Sequence, residues 1–459
     1  MMRRLPAFCC LRLWHILFLL IPAFNNLLHA EQFGIYTYAV TLENTIAITL
    51  TSTSATGAIT VPATINGKPV TSIGNSAFSY CTGLTSITLP GSLTSIGDSA
   101  FSYCYYLTSI TIPVSLTVIG SSAFSNCNRL TSLTIPPSVT SIGNFTFFDC
   151  TALTSLTLPD SLTSIGDGAF FYCSGLTSLT LPASLTSIGD GAFYRCSRLT
   201  SITVPSSITS IGEVTFAYCS GLTNLTLSAS LTSIGKSAFS SCSRLTSLTL
   251  PASLTSIGQS SFSDCYGLTN LIFPDSLTSI GNYAFSGCHG LISLTFLGNA
   301  PGIDSDSPYP RPQAYTAYWL SSKTGFTAPI WQGHPAVRID ESVYPAASWL
   351  LQNDLPYDSD LQQDPNGDGV SLLMAYALNL DPRINLSASL PAPVLHPDRL
   401  SLTFHAATAG ITYEVETSTG LDQWTTEGVT LSAIGADQRR TASVPRSGPG
   451  RFLRLKVAD

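Results

Sequence analysis

The sequence predicts a mainly β chain: a solenoid of about ten 23-residue coils capped at both ends, then a short helix-loop-helix and a small C-terminal β-sandwich. Three observations predict it. Ten of the twelve cysteines (Cys81, Cys104, Cys127, Cys150, Cys173, Cys196, Cys219, Cys242, Cys265 and Cys288) are 23 residues apart. A phenylalanine three positions before each cysteine and an Ile-Gly pair ending seven before keep the same step. The composition is 44% apolar but only 10% charged, with three Met and abundant Thr, Ser, Gly and Pro, which favours strands and turns over helices.

Residues 1–30 have the pattern of a secretory leader. Arg3, Arg4 and Arg12 precede the apolar stretch Leu13 to Leu28, and Ala30 offers a small residue at the cleavage position. Pro22 and Asn25-Asn26 interrupt that stretch, which argues against a membrane anchor, and no later run is long enough to span a bilayer. The mature chain is therefore expected to be secreted or at the cell surface, and a monomer. Net charge is −7, with no basic block, so a nucleic-acid partner is not expected.

Residues 31–70 form the expected N-terminal cap, with Phe33 to Val40 and Thr45 to Leu50 as a hairpin and 57–70 resembling an incomplete repeat. The repeats cover 71–296. In the unit LTSLTLPASLTSIGDGAFYRCSR, which starts at Leu176, Leu179 and Leu181 alternate with Ser178 and Thr180 and so face inward on a strand. Leu185 and Ile188 turn inward across a bend, and Gly189 is read as the corner. Phe193 and Cys196, three apart, suit one helical or 3₁₀ turn. A single unit cannot bury its apolar face alone, so the units must stack, giving a rod roughly 50 Å long at about 4.8 Å per coil.

This unit resembles the BspA-type leucine-rich repeat, a 23-residue class found on surface and secreted proteins, some of them implicated in adhesion. The resemblance implies a leucine-rich-repeat solenoid and does not name the ligand. The cysteines are read as a ladder of buried free thiols, because parallel Cβ vectors in one column do not converge to disulfide geometry and a straight column cannot surround zinc.

Two surfaces could bind. The outward strand columns, Ser86 to Ser293 and Thr88 to Thr295, form an uncharged hydroxyl lattice, suited to solvent or to ice or crystalline polysaccharide. Variation between copies concentrates instead beside the cysteine: Tyr80, Tyr103, Tyr172, Arg195 and Tyr218 just before it, and Arg129, Arg198 and Arg244 two positions after it. Tyr and Arg dominate binding hot spots, so these residues are the candidate ligand contacts, against the alternative of drift on a solvated edge.

Residues 297–345, with Trp319 and Trp331, are the expected C-terminal cap of the solenoid. In 346–392, Asp364, Asn366, Asp368 and the Val370 carbonyl match positions 1, 3, 5 and 7 of a calcium loop and resemble dockerin and thrombospondin type 3 segments. Position 12 is Ala375 and position 9 is Leu372, so the loop reads either as a Ca²⁺ site with an incomplete shell or as a polar turn capping a helix. From 393 to 459, LSLTF, ITYEVETS and RFLRLKV read as strands of a β-sandwich. No HExxH, GxSxG, Walker or dinucleotide pattern occurs. The expectation is a non-enzymatic recognition, adhesion or scaffold protein that needs no cofactor and binds an extended extracellular protein or glycan.

Overall fold

The computed structural model describes residues 28–303, 315–353, 355–408, 411–419, 423–445 and 452–458. The expected leader falls almost wholly outside them. The chain divides into two units. The first comprises 1–268, 279–290 and 303–312, and the second 269–278, 291–302 and 313–459.

The first unit opens with the antiparallel strands Leu28–Phe33, Tyr36–Val40 and Ile46–Thr51. The single strand expected over Phe33 to Val40 is two, because Gly34 turns the chain at φ 58°. Ile46–Thr51 then pairs in parallel with Lys68–Ile73, which pairs with Ser95–Ile96 at the first 23-residue step. Thr56–Thr60 pairs with Gly83–Thr88 and starts a second parallel ladder. The cap is thus continuous with both ladders of the array, and antiparallel strands cover one edge that would otherwise invite pairing.

Most coils contribute a short strand of the Ser-x-Thr type and a two-residue strand of the Ser-Ile type; the first is reduced to a single bridge at Ser178 and forms no strand at 247–249. Ser132–Thr134 lies in register with Ser155–Thr157, and Ser164–Ile165 with Ser187–Ile188. Leu179, Leu181, Leu185 and Phe193 are buried while Thr180 is exposed, as the alternation requires. The phenylalanines stack from Phe78 to Phe285, most at ring separations of 5.1–5.5 Å.

The third side of the coil makes the 3₁₀-type bond, one of the two turns expected, and no α-helical turn. Its backbone alternates. Tyr194 and Cys196 donate back three residues, to the Gly191 and Phe193 carbonyls, while Phe193 and Arg195 donate to Thr215 and Ala217 of the next coil. The 3₁₀-type bonds are present, but Gly191 and Arg195 sit at φ 61° and 59°, so no helix can propagate. Gly189 also has a different role from the corner assigned to it. A Cβ there would lie 2.4 Å from the Asp167 backbone nitrogen and 2.4 Å from its Oδ1. Asp167 Oδ1 accepts the Asp190 N–H at 2.9 Å, and Asp190 Oδ1 accepts that of Glu213 at 2.7 Å. The glycine makes room for this side-chain ladder.

In the second unit, Asn270–Phe273, Ser293–Phe296, Thr316–Leu320 and His334–Ile339 form one parallel sheet. Ser293 faces Thr316, a further step of 23, so the ladder runs on past Phe296 into the expected cap. The solenoid has about twelve turns. Trp319 and Trp331 are buried, with Phe326 packed between them and Phe296. Helices Ala347–Gln352 and Leu372–Ala377 pack Trp349, Leu350, Leu372 and Tyr376 round one core. Further on, a four-stranded and a two-stranded antiparallel sheet enclose Leu402, Phe404, Val415, Ala442, Val444 and Leu453. No described helix is long and apolar enough to cross a membrane.

Candidate recognition groove

All ten cysteines are buried free thiols. Each from Cys104 onward donates its S–H to the carbonyl of the phenylalanine 26 residues earlier, as Cys219 does to Phe193 at 3.2 Å. Burial pushes the Cys104 and Cys150 thiols up to about 12. These groups are neutral and inward, so the chemistry available to a partner lies on either side of them.

The residue before each cysteine adopts a left-handed conformation, φ 56–63° from Tyr80 to Asp264. That turn aims its side chain outward, next to that of the residue after the cysteine. Over the coils from Tyr172 to Tyr266 the two columns line one open groove of about 470 Å³. Tyr172, Arg195, Tyr218 and Ser241 come from the first column, and Ser174, Ser197, Ser220, Ser243 and Tyr266 from the second. The Arg195 guanidinium lies 5.3 Å from the Tyr172 ring centroid, 5.0 Å from that of Tyr218 and 5.8 Å from that of Tyr194. Such contacts hold a cation without neutralising it. No acidic residue lines the groove.

The family scan matches this region. Residues 71–200 and 169–292 fit the BspA type leucine-rich repeat region, in six copies. The array is similar to the BspA-type leucine-rich repeat. Among solved structures, similar chains include a leucine-rich repeat protein of T. pallidum, 27% identical over 47% of this chain and 91% of that one, at TM-score 0.35. A leucine-rich cell surface protein of Faecalibacterium prausnitzii is 25% identical over 72% and 99%, at TM-score 0.41. The pneumococcal vaccine antigen PcpA is 24% identical over 64% and 94%, at TM-score 0.45. No curated protein matches the chain.

Within the array, the sequence-predicted contacts separate. Tyr172, Arg195 and Tyr218 share the groove. Tyr80 and Tyr103 form a separate stacked pair, centroids 4.5 Å apart. Arg129 lies 4.4 Å from the Tyr106 ring centroid, while Arg198 and Arg244 are exposed and line no part of the groove. Sequence reasoning missed an aromatic ridge at the groove's side. Phe148, Phe171 and Tyr194, two residues before successive cysteines, stack at 5.6 and 4.3 Å. Phe145 flanks them, over Gly168, where a Cβ would lie 2.3 Å from its ring. The signal was available: glycine replaces the usual serine at 168 and 191, where the neighbouring rings need space.

The other predicted site, Asp364, Asn366, Asp368 and Val370, is a tight loop held by its own amides. Asp364 accepts from Gly367, Asp368 and Gly369 at 2.8–3.2 Å, and Asp368 accepts from Val370 at 2.9 Å and from Leu386. These amides hold the Asp368 carboxyl below its usual range, led by that of Leu386. Asn366 instead donates to the Pro382 and Ile384 carbonyls. Ala375 is buried in the helix core and brings no oxygen. Three side chains and one carbonyl fall short of the six to eight oxygens calcium takes, so water would have to supply the rest.

Proposed function

We propose that the protein is an exported, non-enzymatic recognition or adhesion scaffold that binds an extended extracellular macromolecule through its repeat array. The observation that carries this reading is the placement of Arg195 between Tyr172 and Tyr218 in an open groove spanning several coils. The backbone supports it. A left-handed conformation costs an ordinary side chain about 1–2 kcal/mol, and Asn, Asp and Gly bear it best. Asn126, Asp149 and Gly287 follow that preference, whereas Tyr and Arg at the groove forgo it. Repeated weak contacts along successive coils then sum to useful affinity.

The test is a binding screen of the purified chain against matrix proteins and glycans. Replacing Tyr172 and Tyr218 with Ser is expected to abolish binding, and replacing Thr157, Thr180 and Thr203 with Lys to leave it intact. The reverse pattern transfers the function to the hydroxyl lattice on the strands, as for ice or crystalline polysaccharide. Turnover of a substrate without binding overturns the reading. We also propose that the 364–370 loop takes Ca²⁺ weakly, through the four donors named above.

A further inference from the structure

We propose that the groove selects a glycan chain bearing a carboxylate, with Arg195 gripping that carboxylate and the serine column hydrogen-bonding sugar hydroxyls. This rests on the recognition reading above and names its ligand class. Three features of the groove argue for it.

The first is charge. Arg195 is the one charged group lining the groove, and among the described residues no carboxylate forms an ion pair with it. Its neighbours are aromatic rings, which orient the guanidinium; it also donates to the Tyr194 hydroxyl, and the donors that remain suit a planar, bidentate acceptor. The second is the hydroxyl register. One serine follows the cysteine in each of four successive coils from Ser174 to Ser243, so the wall offers a donor-acceptor pair at each of these four steps. The third is the main chain. The N–H groups of Tyr172, Arg195 and Tyr218 are all given to the next coil, to Tyr194, Ala217 and Ser240 at 2.7–2.8 Å. A peptide strand laid in the groove finds none of these donors for its own backbone, and main-chain pairing is what gives strand addition its affinity. A sugar chain does not need them. Since the whole chain is acidic, attraction must come from this local fork and not from the long-range field.

The experiment measures binding of the full chain to polygalacturonate, polysialic acid, neutral dextran and poly-glutamate. Saturable binding to one or both acidic glycans is expected, and which of them binds identifies uronate or sialate. Arg195→Gln is expected to weaken it about tenfold or more, the scale of a charge-assisted hydrogen bond. Arg195→Lys is expected to recover part of the loss, and Arg244→Gln to bind as the parent does. Equal binding of dextran, equal binding of poly-glutamate, or an unchanged Arg195→Gln each overturns the proposal. If a matrix protein binds through Tyr172 and Tyr218 while no acidic glycan does, the glycan inference falls and the recognition reading stands. If nothing binds in a way that depends on the groove, both fall.

Discussion

At the scale of the residue, the cysteine column has a reason that its apolar character alone does not supply. The Phe193 carbonyl accepts the Cys196 N–H at 3.1 Å within its own coil and the Cys219 S–H at 3.2 Å from the next. A buried carbonyl has two lone pairs, and only a small apolar residue with a donor fills the second without a polar cost. The thiols should therefore be unreactive in the native chain and all ten should label once it is unfolded without reductant. A mass corresponding to five disulfides would contradict this. A pH consequence follows. The folded thiols bind their protons more tightly than unfolded ones, whose ordinary value is 9.0. Their contribution is whole below pH 9 and is lost as pH rises toward about 12, by about 1.4 kcal/mol per pH unit for each thiol. Melting temperature should drop steeply above pH 9, and less steeply in a Cys127→Ala, Cys150→Ala, Cys173→Ala variant relative to its own value at pH 8. Parallel curves would refute the linkage. The burial and freedom of these thiols were legible from spacing and column geometry. Their hydrogen bond was not, because nothing in the pattern says which carbonyl a stacked coil presents. Gly189 has the same lesson. Its repetition marked a constraint, but only the approach of Asp167 shows that the constraint is space and not a left-handed turn. Gly189→Ala should cost about 1–3 kcal/mol through overpacking. Gly91→Ala, with nothing within 4 Å, should change stability by less than about 1 kcal/mol in urea melts.

At the scale of the element, the faces of the coil follow from the alternation, and the third side does not. Period two assigned Leu179 inward and Thr180 outward, and both lie there. The spacing of Phe193 and Cys196 admitted a helical turn, because three residues apart is also the span of the 3₁₀-type bond that is in fact made. What the spacing could not reveal is that every second amide leaves the coil. Phe193→Ala should cost about 3–5 kcal/mol, since it opens a gap in a continuous ring stack, while Thr180→Ala should cost little. Equal effects in denaturant melts would mean the faces are misassigned. The helix-linked loop is tested in the same way. Millimolar calcium should raise the melting temperature of the full chain slightly, and Asp364→Ala with Asp368→Ala should remove the rise. No rise in the parent chain would leave the loop as a polar turn ahead of the helix capped by Ser371.

At the scale of the whole chain, the repeat was legible because its period is strict, and its ends were less so because the period there survives only in the backbone. Ser293 and Thr316 pair one full step apart although no cysteine, phenylalanine or Ile-Gly marks that coil. The groove was half legible for a related reason. Tyr172, Arg195 and Tyr218 stood out by varying, but that they converge while Tyr80 and Tyr103 pair elsewhere depends on which coils they occupy. The proposed leader can be judged against the cap that follows it. Removal of residues 1–30 takes three arginines and no acid, carrying net charge from −7 to −10. It also removes Cys9 and Cys10, leaving only the ladder thiols. In the first strand, the pair Leu28↔Val40 lies beyond a register shift, whereas Glu31↔Tyr38, Gln32↔Thr37 and Phe33↔Tyr36 run without interruption. Tyr38 donates to the Glu31 carboxylate, and Asn66 donates to the Tyr38 hydroxyl at 2.7 Å. Cleavage after Ala30 therefore costs the strand one irregular pair and keeps the three that hold the edge of the cap. N-terminal sequencing of the exported chain should begin at Glu31. A mature start beyond Phe33 would strip that edge and overturn the assignment, as would a secreted chain that retains Arg3 and Arg4.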